Sequence, residues 1–186
     1  MPGSPAPAFT LPPLTLVIGG ARSGKSALAE SMVRATGRPR VYIATAQAFD
    51  AEMRDRIALH QRSRHDDWQT VEAPRELGPV LAAAGADRVV LVECATLWLS
   101  NQLLAEADLQ AECAALLAAL RTCAAPVVVV TNEVGWSIVP DNVLARRFAD
   151  AQGRLNQMLA AEAGLVVAVL AGLPMVLKGQ MPEAAR

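Results

Sequence analysis

Residues 19–26 read GGARSGKS, and this stretch decides the fold because it matches the pattern GxxxxGK[ST]. It lies between an apolar run at 14–20 and a helical pattern that begins at Ser26, where such a loop joins a strand to a helix. Gly19 and Gly24 let the backbone curl so that successive N–H groups point toward phosphate oxygens. Lys25 can reach the β- and γ-phosphates, and the Ser26 hydroxyl can bind Mg²⁺. A chance match in a chain of this length is on the order of one in a hundred, so the stretch predicts a nucleoside triphosphate site.

The rest of the chain continues the alternation of strand and helix that this loop begins. Each apolar run is nearly continuous, which is typical of strands covered on both faces in a parallel sheet. The pattern predicts an open α/β sheet with right-handed crossovers, in one domain at 14–186 after a flexible, proline-rich leader at 1–13. The predicted strands are 14–20, 40–46, 87–95, 125–133 and 164–172, with 172–179 as a candidate edge strand, and the predicted helices are Ser26–Thr36, Asp50–Arg64, Asp108–Cys123 and Asn142–Ala163.

The composition excludes several classes of function. Hydrophobic residues make up 53% of the chain and the net charge is −1, so there is no bulk attraction to nucleic acid or to a membrane surface. The apolar runs are too short to span a bilayer, so no membrane span is predicted. Cys94, Cys113 and Cys123 lack CxxC spacing, which favours free thiols over a disulfide or a metal site. These features predict a cytoplasmic protein that does not bind nucleic acid.

Charged side chains follow the predicted strands at the edge where parallel sheets bind their ligands. Glu93 ends one strand and could bind Mg²⁺ directly, act through water, contact the nucleotide or acceptor, or be a buried structural carboxylate. Glu133 follows another strand and could hold an acceptor hydroxyl or cap the next turn. Arg22, inside the loop, could clamp a phosphate or be a solvated charge. The residues alone leave these alternatives open.

Both histidines of the chain lie in the segment RIALHQRSRHDDW at 56–68. If 50–64 is a helix, Arg56, His60 and Arg64 share a spacing of four residues and form a stripe beside an apolar one. Two guanidinium groups beside an imidazole form a phosphate-binding geometry, and their charge lowers the imidazole pKa so that it stays neutral and nucleophilic. An exposed basic helix face would have the same pattern, so the segment alone does not decide between these two interpretations.

Taken together, the motifs resemble those of one enzyme family, the bifunctional adenosylcobinamide kinase/adenosylcobinamide-phosphate guanylyltransferases of cobalamin biosynthesis. The resemblance extends from Leu16 to Lys178. A phosphate loop alone occurs in many families, whereas the series YIAT…EM..RI..H...R…W.T.E together with TNEVG…VP is specific to this one. The matching segments also include LVECATLWLSN at 91–101 and VVAVLAGLPMVLK at 166–178.

This resemblance implies a P-loop NTPase fold with a RecA-like, mostly parallel sheet flanked by helices, and a two-step reaction at one nucleotide site. In the first step, a γ-phosphoryl group moves from ATP or GTP to the aminopropanol hydroxyl of adenosylcobinamide. In the second step, a histidine attacks the α-phosphorus of GTP and pyrophosphate leaves. The new phosphate then takes GMP from the histidine to give adenosylcobinamide-GDP. Mg²⁺ is the implied cofactor, and a homo-oligomer, a trimer in the family, is the implied assembly.

Residue roles follow from the same resemblance. His60 stands in the RI..H element and is the implied nucleophile, whereas His65 does not occupy that position. Lys25 is the second implied catalytic residue, Ser26 and Glu93 are the implied metal ligands, and Glu72 is a plausible reader of guanine N1–H and N2–H₂. The implied nucleotide-binding residues are Gly19, Gly20, Ala21, Arg22, Ser23, Gly24, Lys25, Ser26, Ala44, Thr45, Ala46, Gln61, Arg62, Ser63, Arg64, Glu72 and Glu93.

Two other hypotheses compete with the bifunctional enzyme. The first is a P-loop small-molecule kinase without guanylyl transfer, in which His60 only positions phosphate. The second is a nucleotide-gated binding or assembly protein that transfers no group. The three tryptophans, Trp68, Trp98 and Trp136, lie in or near the predicted ligand-side loops, where core or interface packing is favoured over contact with a corrin ring.

Overall fold

A seven-stranded sheet forms the centre of the computed structural model, which describes residues 10–47, 67–136 and 138–181. Its strands are β1 (Leu14–Gly19), β2 (Arg40–Ala44), β3 (Trp68–Glu72), β4 (Val89–Glu93), β5 (Val127–Asn132), β6 (Leu165–Leu170) and β7 (Leu173–Lys178). They lie in the order β3-β2-β4-β5-β1-β6-β7, and all neighbours are parallel except β6 and β7. The predicted P-loop NTPase fold with a RecA-like, mostly parallel sheet is confirmed, and the candidate edge strand at 172–179 is β7.

Five helices connect these strands within the described residues. They are α1 (Lys25–Ala35), α2 (Leu77–Ala83), α3 (Ala95–Leu104), α4 (Leu109–Thr122) and α5 (Val143–Glu162). The predicted starts of α4 and α5 are confirmed by their caps: Asp108 accepts hydrogen bonds from two backbone N–H groups of the first turn, and Asn142 accepts one. The predicted helix Asp50–Arg64 lies outside the described residues.

The strands bury their two faces in different layers because successive side chains alternate between them. On β5, Val127 and Val129 join a core that includes the buried residues of α2, α3, α4 and α5. Val128 and Val130 join the opposite core, which contains Ala29, Met32 and Val33 of α1. Among the described helices, α1 therefore covers one face of the sheet and the other four cover the opposite face.

Three described elements were not predicted from the sequence. The first is the edge strand β3, in which only Trp68 is buried and most residues are polar. The second is α2, a helix of 7 residues. The segment after β4 was predicted to be a polar ligand-side loop, but Ala95–Leu104 is a helix. Seven of its ten residues are buried, because it packs between the sheet and its neighbouring helices rather than facing a ligand.

The ends of the described segments also contact the sheet. Leu11, within the predicted leader, is buried, and Pro13 O accepts a hydrogen bond from Val127 N at 2.9 Å. Residues 1–9 lie outside the described residues. A search of the described helices found none with both the length and the apolarity that a bilayer crossing requires.

Candidate active site

The phosphate loop joins the end of β1 to the start of α1 and is held in a tight curl. Arg22 has a φ of 56° and Gly24 a φ of 93°, so both lie in the left-handed region and turn the chain back on itself. Gly24 is the N-cap of α1 and supplies no capping side chain. The first N–H groups of α1 are therefore not capped by a side chain and face the loop, as an anion site requires.

Glycine at two loop positions is required by close packing against the β6–β7 turn. A Cβ atom at Gly19 would lie 2.5 Å from Val169 O, which is too close for any side chain. A Cβ at Gly24 would lie 3.3 Å from the Cα of Gly172, and Gly172 N donates a hydrogen bond to Ser23 O at 2.9 Å. The end of β6 and the turn that follows it thus pack against the phosphate loop and fix its shape.

Lys25 lies inside the curl of the loop. Its side chain is 8% exposed, and its ammonium donates to Gly20 O at 3.1 Å. Among the described residues, no carboxylate forms an ion pair with it. A buried ammonium with a single backbone partner is costly, and a phosphate bound by the loop would offset that cost. Ser23 Oγ, also buried, has no hydrogen-bond partner in the described part of the chain.

Ser26 and Glu93 meet across the two elements that carry them. Ser26 Oγ donates to Glu93 Oε1 at 2.9 Å, which joins the first turn of α1 to the end of β4. Both supply oxygen ligands, the type that Mg²⁺ prefers, and a Mg²⁺ site usually adds water and phosphate oxygens to one or two such protein ligands. The two predicted metal ligands are therefore adjacent, and their chemistry fits the ion.

The remaining predicted residues lie along the carboxyl ends of the next strands. Ala44 is in register with both Glu72 on β3 and Glu93 on β4, so the two carboxylates flank a small, partly buried residue. Glu72 is exposed and Ala46 is partly buried. Gly20, Ala21 and Arg22 are exposed in the loop, so both interpretations of Arg22 stay open.

Thr45 has a structural role in this site. Its N–H donates to Glu93 O, its hydroxyl accepts from Cys94 N at 2.7 Å, and the same hydroxyl lies 2.8 Å from Cys94 O. Its carbonyl accepts from Asn101 Nδ2 at 2.8 Å. These hydrogen bonds fix the end of β2 beside Glu93, and the contact of Thr45 with the nucleotide stays a prediction.

The other residues proposed from sequence fall into three groups. The predicted nucleophile and its neighbours, His60, Gln61, Arg62, Ser63 and Arg64, lie outside the described residues. Glu133 Oε1 accepts from Gly135 N at 2.6 Å, so it caps the next turn, which was one of its two alternatives. Trp98 is buried and donates to Arg75 O at 2.7 Å, Trp68 packs edge-on against Tyr42, and Trp136 is 83% exposed.

Cys94, directly after Glu93, is the thiol nearest to the site. Burial raises the pKa of Cys94 to about 11, and the charge of Glu93 acts in the same direction. The side chain therefore stays a neutral thiol near pH 7 and is not an activated nucleophile. All three cysteines are free, as predicted.

Sequence reasoning missed a polar cluster at the end of β5, formed by Thr96, Thr131, Asn132, Gln152 and Asn156. Four of these five residues are buried, and the fifth, Asn132, is in register with Gly19 of the phosphate loop. The segment TNE at 131–133 contained the signal, because polar residues at the end of a central strand face the ligand edge. Only its glutamate was considered.

Comparison with known proteins gives the family of this chain. The model of a family described as cobinamide kinase / cobinamide phosphate guanyltransferase matches residues 15–177. The bifunctional adenosylcobalamin biosynthesis protein CobP of Pseudomonas aeruginosa is 45% identical over 168 residues, with 89% of this chain and 97% of that protein covered. The bifunctional adenosylcobalamin biosynthesis protein CobU of Escherichia coli K12 is 41% identical over 181 residues, with 89% and 99% covered.

Among solved structures, the Pyrococcus horikoshii protein PH0250 is similar to this chain with a TM-score of 0.55. The similarity covers 95% of this chain and 91% of that one. At 10% sequence identity it concerns the fold alone. The family match covers most of the chain, includes the phosphate loop and extends into β7. The chain therefore belongs to the cobinamide kinase/cobinamide phosphate guanyltransferase family.

Proposed function

We propose that this chain phosphorylates adenosylcobinamide with ATP or GTP and then transfers GMP from GTP to that product through a histidine–GMP intermediate. The observation that carries the proposal is the phosphate loop, in which Lys25 is buried and Ser26 is hydrogen-bonded to Glu93. Family membership supports both transfers, because the family description names a kinase and a guanyltransferase. The relatives CobP and CobU are also named as bifunctional proteins of adenosylcobalamin biosynthesis.

The kinase step needs charge stabilisation and alignment more than covalent chemistry. The loop N–H groups and the Lys25 ammonium hold the β- and γ-phosphates and neutralise charge as it moves to the leaving group. The acceptor hydroxyl oxygen forms a bond to the γ-phosphorus as the bond from that phosphorus to the β,γ-bridging oxygen breaks. The electron pair leaves on the nucleoside diphosphate, and the hydroxyl proton is released to water.

Mg²⁺ would be held by Ser26 Oγ and the Glu93 carboxylate, whose oxygens lie 2.9 Å apart in the described structure. The ion supplies positive charge to the phosphate oxygens when it is bound. Glu93 also accepts a hydrogen bond from the Ser26 hydroxyl in this structure, so the pair is oriented before any ion is bound. This pre-orientation supports a role in metal binding over that of an isolated structural carboxylate.

The guanylyl-transfer step assigns covalent chemistry to His60, which lies outside the described residues. Its imidazole would attack the α-phosphorus of GTP, and the bond to the α,β-bridging oxygen would break with release of pyrophosphate. Gln61, Arg62, Ser63 and Arg64 would contact the same nucleotide. Among the described residues, Glu72 is exposed, so its carboxylate could accept hydrogen bonds from guanine. Ala44, which lies between Glu72 and Glu93, has only a methyl side chain beside the two carboxylates.

The proposal is tested by covalent labelling. Wild type, His60→Ala and the matched control His65→Ala are incubated with Mg²⁺ and GTP labelled on the α-phosphate, and the denatured chains are analysed for bound label. We expect acid-labile, alkali-stable label on wild type and on His65→Ala and none on His60→Ala. An unlabelled wild type that binds GTP and phosphorylates adenosylcobinamide would instead establish the P-loop kinase without guanylyl transfer. An unlabelled wild type that transfers no group would overturn the whole proposal.

A homo-oligomer, possibly a trimer, is part of the same proposal. The edge strand β7 presents apolar side chains to solvent, with Leu173 at 71%, Met175 at 51% and Leu177 at 60% exposure. An edge strand with unpaired backbone groups and apolar side chains favours association with another chain. The cytoplasmic location is likewise proposed, and the three free cysteines support it.

A further inference from the structure

The end of β5 lies between the two strands that carry the phosphate-binding groups. In the sheet, β5 pairs with β4, which ends at Glu93, and with β1, which leads into the phosphate loop. Glu93 is in register with Val130, and Gly19 is in register with Asn132. Asn132 is thus directly opposite the first loop glycine, at a strand spacing of about 4.8 Å, and it lies on the strand next to Glu93, two residues beyond the position opposite that carboxylate.

The alternation of side chains places Asn132 on the same face of the sheet as the nucleotide groups. Val128 and Val130 of β5 belong to the core under α1, and so does Leu91 of β4, two residues before Glu93. Because side chains two residues apart share a face, Asn132 and Glu93 both lie on the face that α1 covers. Glu93 confirms this by bonding Ser26 in the first turn of α1.

The backbone of Asn132 is fixed from both sides, whereas its side chain forms no hydrogen bond to another described residue. Its N–H donates to Thr96 Oγ1 at 2.7 Å, and its carbonyl accepts from Asn156 Nδ2 at 3.1 Å. Its Oδ1 is buried and has no hydrogen-bond partner in the described part of the chain. A buried amide oxygen without a partner costs about 1–3 kcal/mol, so its retention beside a phosphate loop requires an explanation.

A second layer of hydrogen bonds rigidifies this position from the opposite face. Thr131 donates to Asn156 Oδ1 at 2.7 Å, and Gln152 Nε2 lies 2.9 Å from Thr131 Oγ1 and 2.8 Å from Asn156 Oδ1. These side chains connect α5 to the last turn of β5 and fix the backbone from which the Asn132 amide projects. A group held in this way loses little entropy on binding, as a catalytic contact requires.

We propose that Asn132 is a further catalytic residue, which contacts the transferred phosphoryl group in the kinase step. Its Nδ2 donates to a non-bridging oxygen of the γ-phosphoryl group. This inference rests on the proposed function and adds to it a side-chain contact to the group that is transferred. Asn132 takes no proton, because an amide is neither acid nor base near pH 7, and the hydroxyl proton still passes to water.

The role separates the two steps of the reaction. In guanylyl transfer the α-phosphorus is attacked and the γ-phosphoryl group stays bound within the leaving pyrophosphate. A contact that strengthens only as the γ-phosphoryl group moves therefore accelerates the kinase step and leaves histidine guanylylation unchanged. A purely structural residue at the end of β5 would weaken both steps together.

The experiment compares Asn132→Ala, Asn132→Asp and the control Val128→Ala in the full chain with Mg²⁺. Val128 lies on the same strand, four residues before Asn132, and is buried in the core under α1, so its truncation destabilises the chain without removing a group from the site. For each variant, kcat and KM for ATP are measured with adenosylcobinamide, and the rate of protein labelling is measured with α-labelled GTP. The thermal midpoint reports folding. Asn132→Asp keeps the shape of the side chain but replaces its donor with a negative oxygen, so it tests the contact without leaving a cavity.

We expect both Asn132 variants to lower kcat of the kinase step by about 10²-fold, the typical effect of removing one transition-state donor. For Asn132→Ala, KM for ATP and the rate of labelling stay within threefold of wild type, whereas the negative charge of Asn132→Asp also weakens nucleotide binding. Val128→Ala lowers the thermal midpoint and keeps kcat within threefold. A kcat loss below fivefold in both Asn132 variants, or an equal loss of labelling in Asn132→Ala, or an equal kcat loss in Val128→Ala, would overturn the assignment. A wild type that phosphorylates no acceptor would instead overturn the proposed function.

Discussion

The buried hydrogen bonds between α5 and β5 lead to a stability prediction for Asn156→Ala. Asn156 Oδ1 accepts from Thr131 at 2.7 Å and from Gln152 at 2.8 Å, and its Nδ2 donates to Asn132 O at 3.1 Å. Three hydrogen bonds at a net value of about 1 kcal/mol each sum to about 3 kcal/mol. Alanine returns up to about 0.7 kcal/mol through its higher helix propensity. We therefore expect a loss of about 2–3 kcal/mol in the free energy of unfolding.

The control for this prediction is Gln157→Ala, which changes the next residue of the same helix at an exposed position. Substitutions at such sites usually stay within about 0.5 kcal/mol. Urea unfolding of the ligand-free protein gives both values, and repeating it at several protein concentrations separates folding from association. In thermal unfolding, at about 2–4 °C per kcal/mol, the midpoint temperature of Asn156→Ala should fall by roughly 4–12 °C. If Asn156→Ala and Gln157→Ala differ by less than 0.5 kcal/mol, the cluster does not stabilise the strand end and the reasoning is wrong.

Three further predictions address the metal site, the buried thiol and the sheet edge. Ser26→Ala should raise the Mg²⁺ concentration for half-maximal kinase rate by about tenfold or more, whereas Ser31→Ala, on the same helix, should leave it unchanged. If the Mg²⁺ dependence of the kinase rate is the same in both variants, Ser26 does not bind the metal. Because burial raises the pKa of Cys94 to about 11 from 9.0, the folded chain holds the thiol proton more tightly than the unfolded chain does. Stability should therefore fall as pH rises from 9 to 11, and Cys94→Ala should reduce that slope in denaturant titrations; an unchanged slope would contradict the assignment. Leu177→Glu should lower the molar mass in light scattering, whereas Leu104→Glu, exposed elsewhere, should not; a wild type that is monomeric at all concentrations would refute self-association.

Most of the elements that sequence patterns predicted are buried on both faces or begin at a strong local cap, whereas the predicted edge strand β7 is exposed along its whole length. The five inner strands are continuous apolar runs because helices cover both sides, and Asp108 and Asn142 mark helix starts through their own side chains. The strand β3 was missed because it lies at the sheet edge, where only Trp68 is buried and the other positions tolerate polar residues. Nothing local distinguishes such a segment from a loop, since its pairing with β2 provides the missing stabilisation.

The candidate site also contains residues that could be predicted from the sequence and residues that could not. Gly19, Gly24, Lys25 and Ser26 could be predicted because the phosphate loop is a continuous stretch whose chemistry depends on its own backbone. The role of Thr45 could not be predicted, because its polar groups are engaged by Cys94, Glu93 and Asn101, which are distant in sequence. Asn132 was missed for the same reason. Its position beside Gly19 is a property of strand order, which places β5 between β4 and β1, and strand order is not written in any single segment.

One phosphate-binding loop can serve both proposed reactions because the leaving group contains the β-phosphate in each of them. In the kinase step the electron pair leaves on the β-phosphate, and in guanylyl transfer it leaves on pyrophosphate, which contains the same β-phosphate. In the proposed mechanism Lys25 and the loop N–H groups contact that phosphate in both steps, so Lys25→Ala should impair both. In the same proposal Asn132 contacts the γ-phosphoryl group as it moves and His60 attacks the α-phosphorus, so each of their variants should impair one step and spare the other. Variants of Asn132 and His60 should therefore affect opposite steps, and the Lys25 variant, which should affect both, is the control. A result in which Asn132 and His60 variants impair the same step would place both reacting phosphorus atoms at one position and contradict this division of the site.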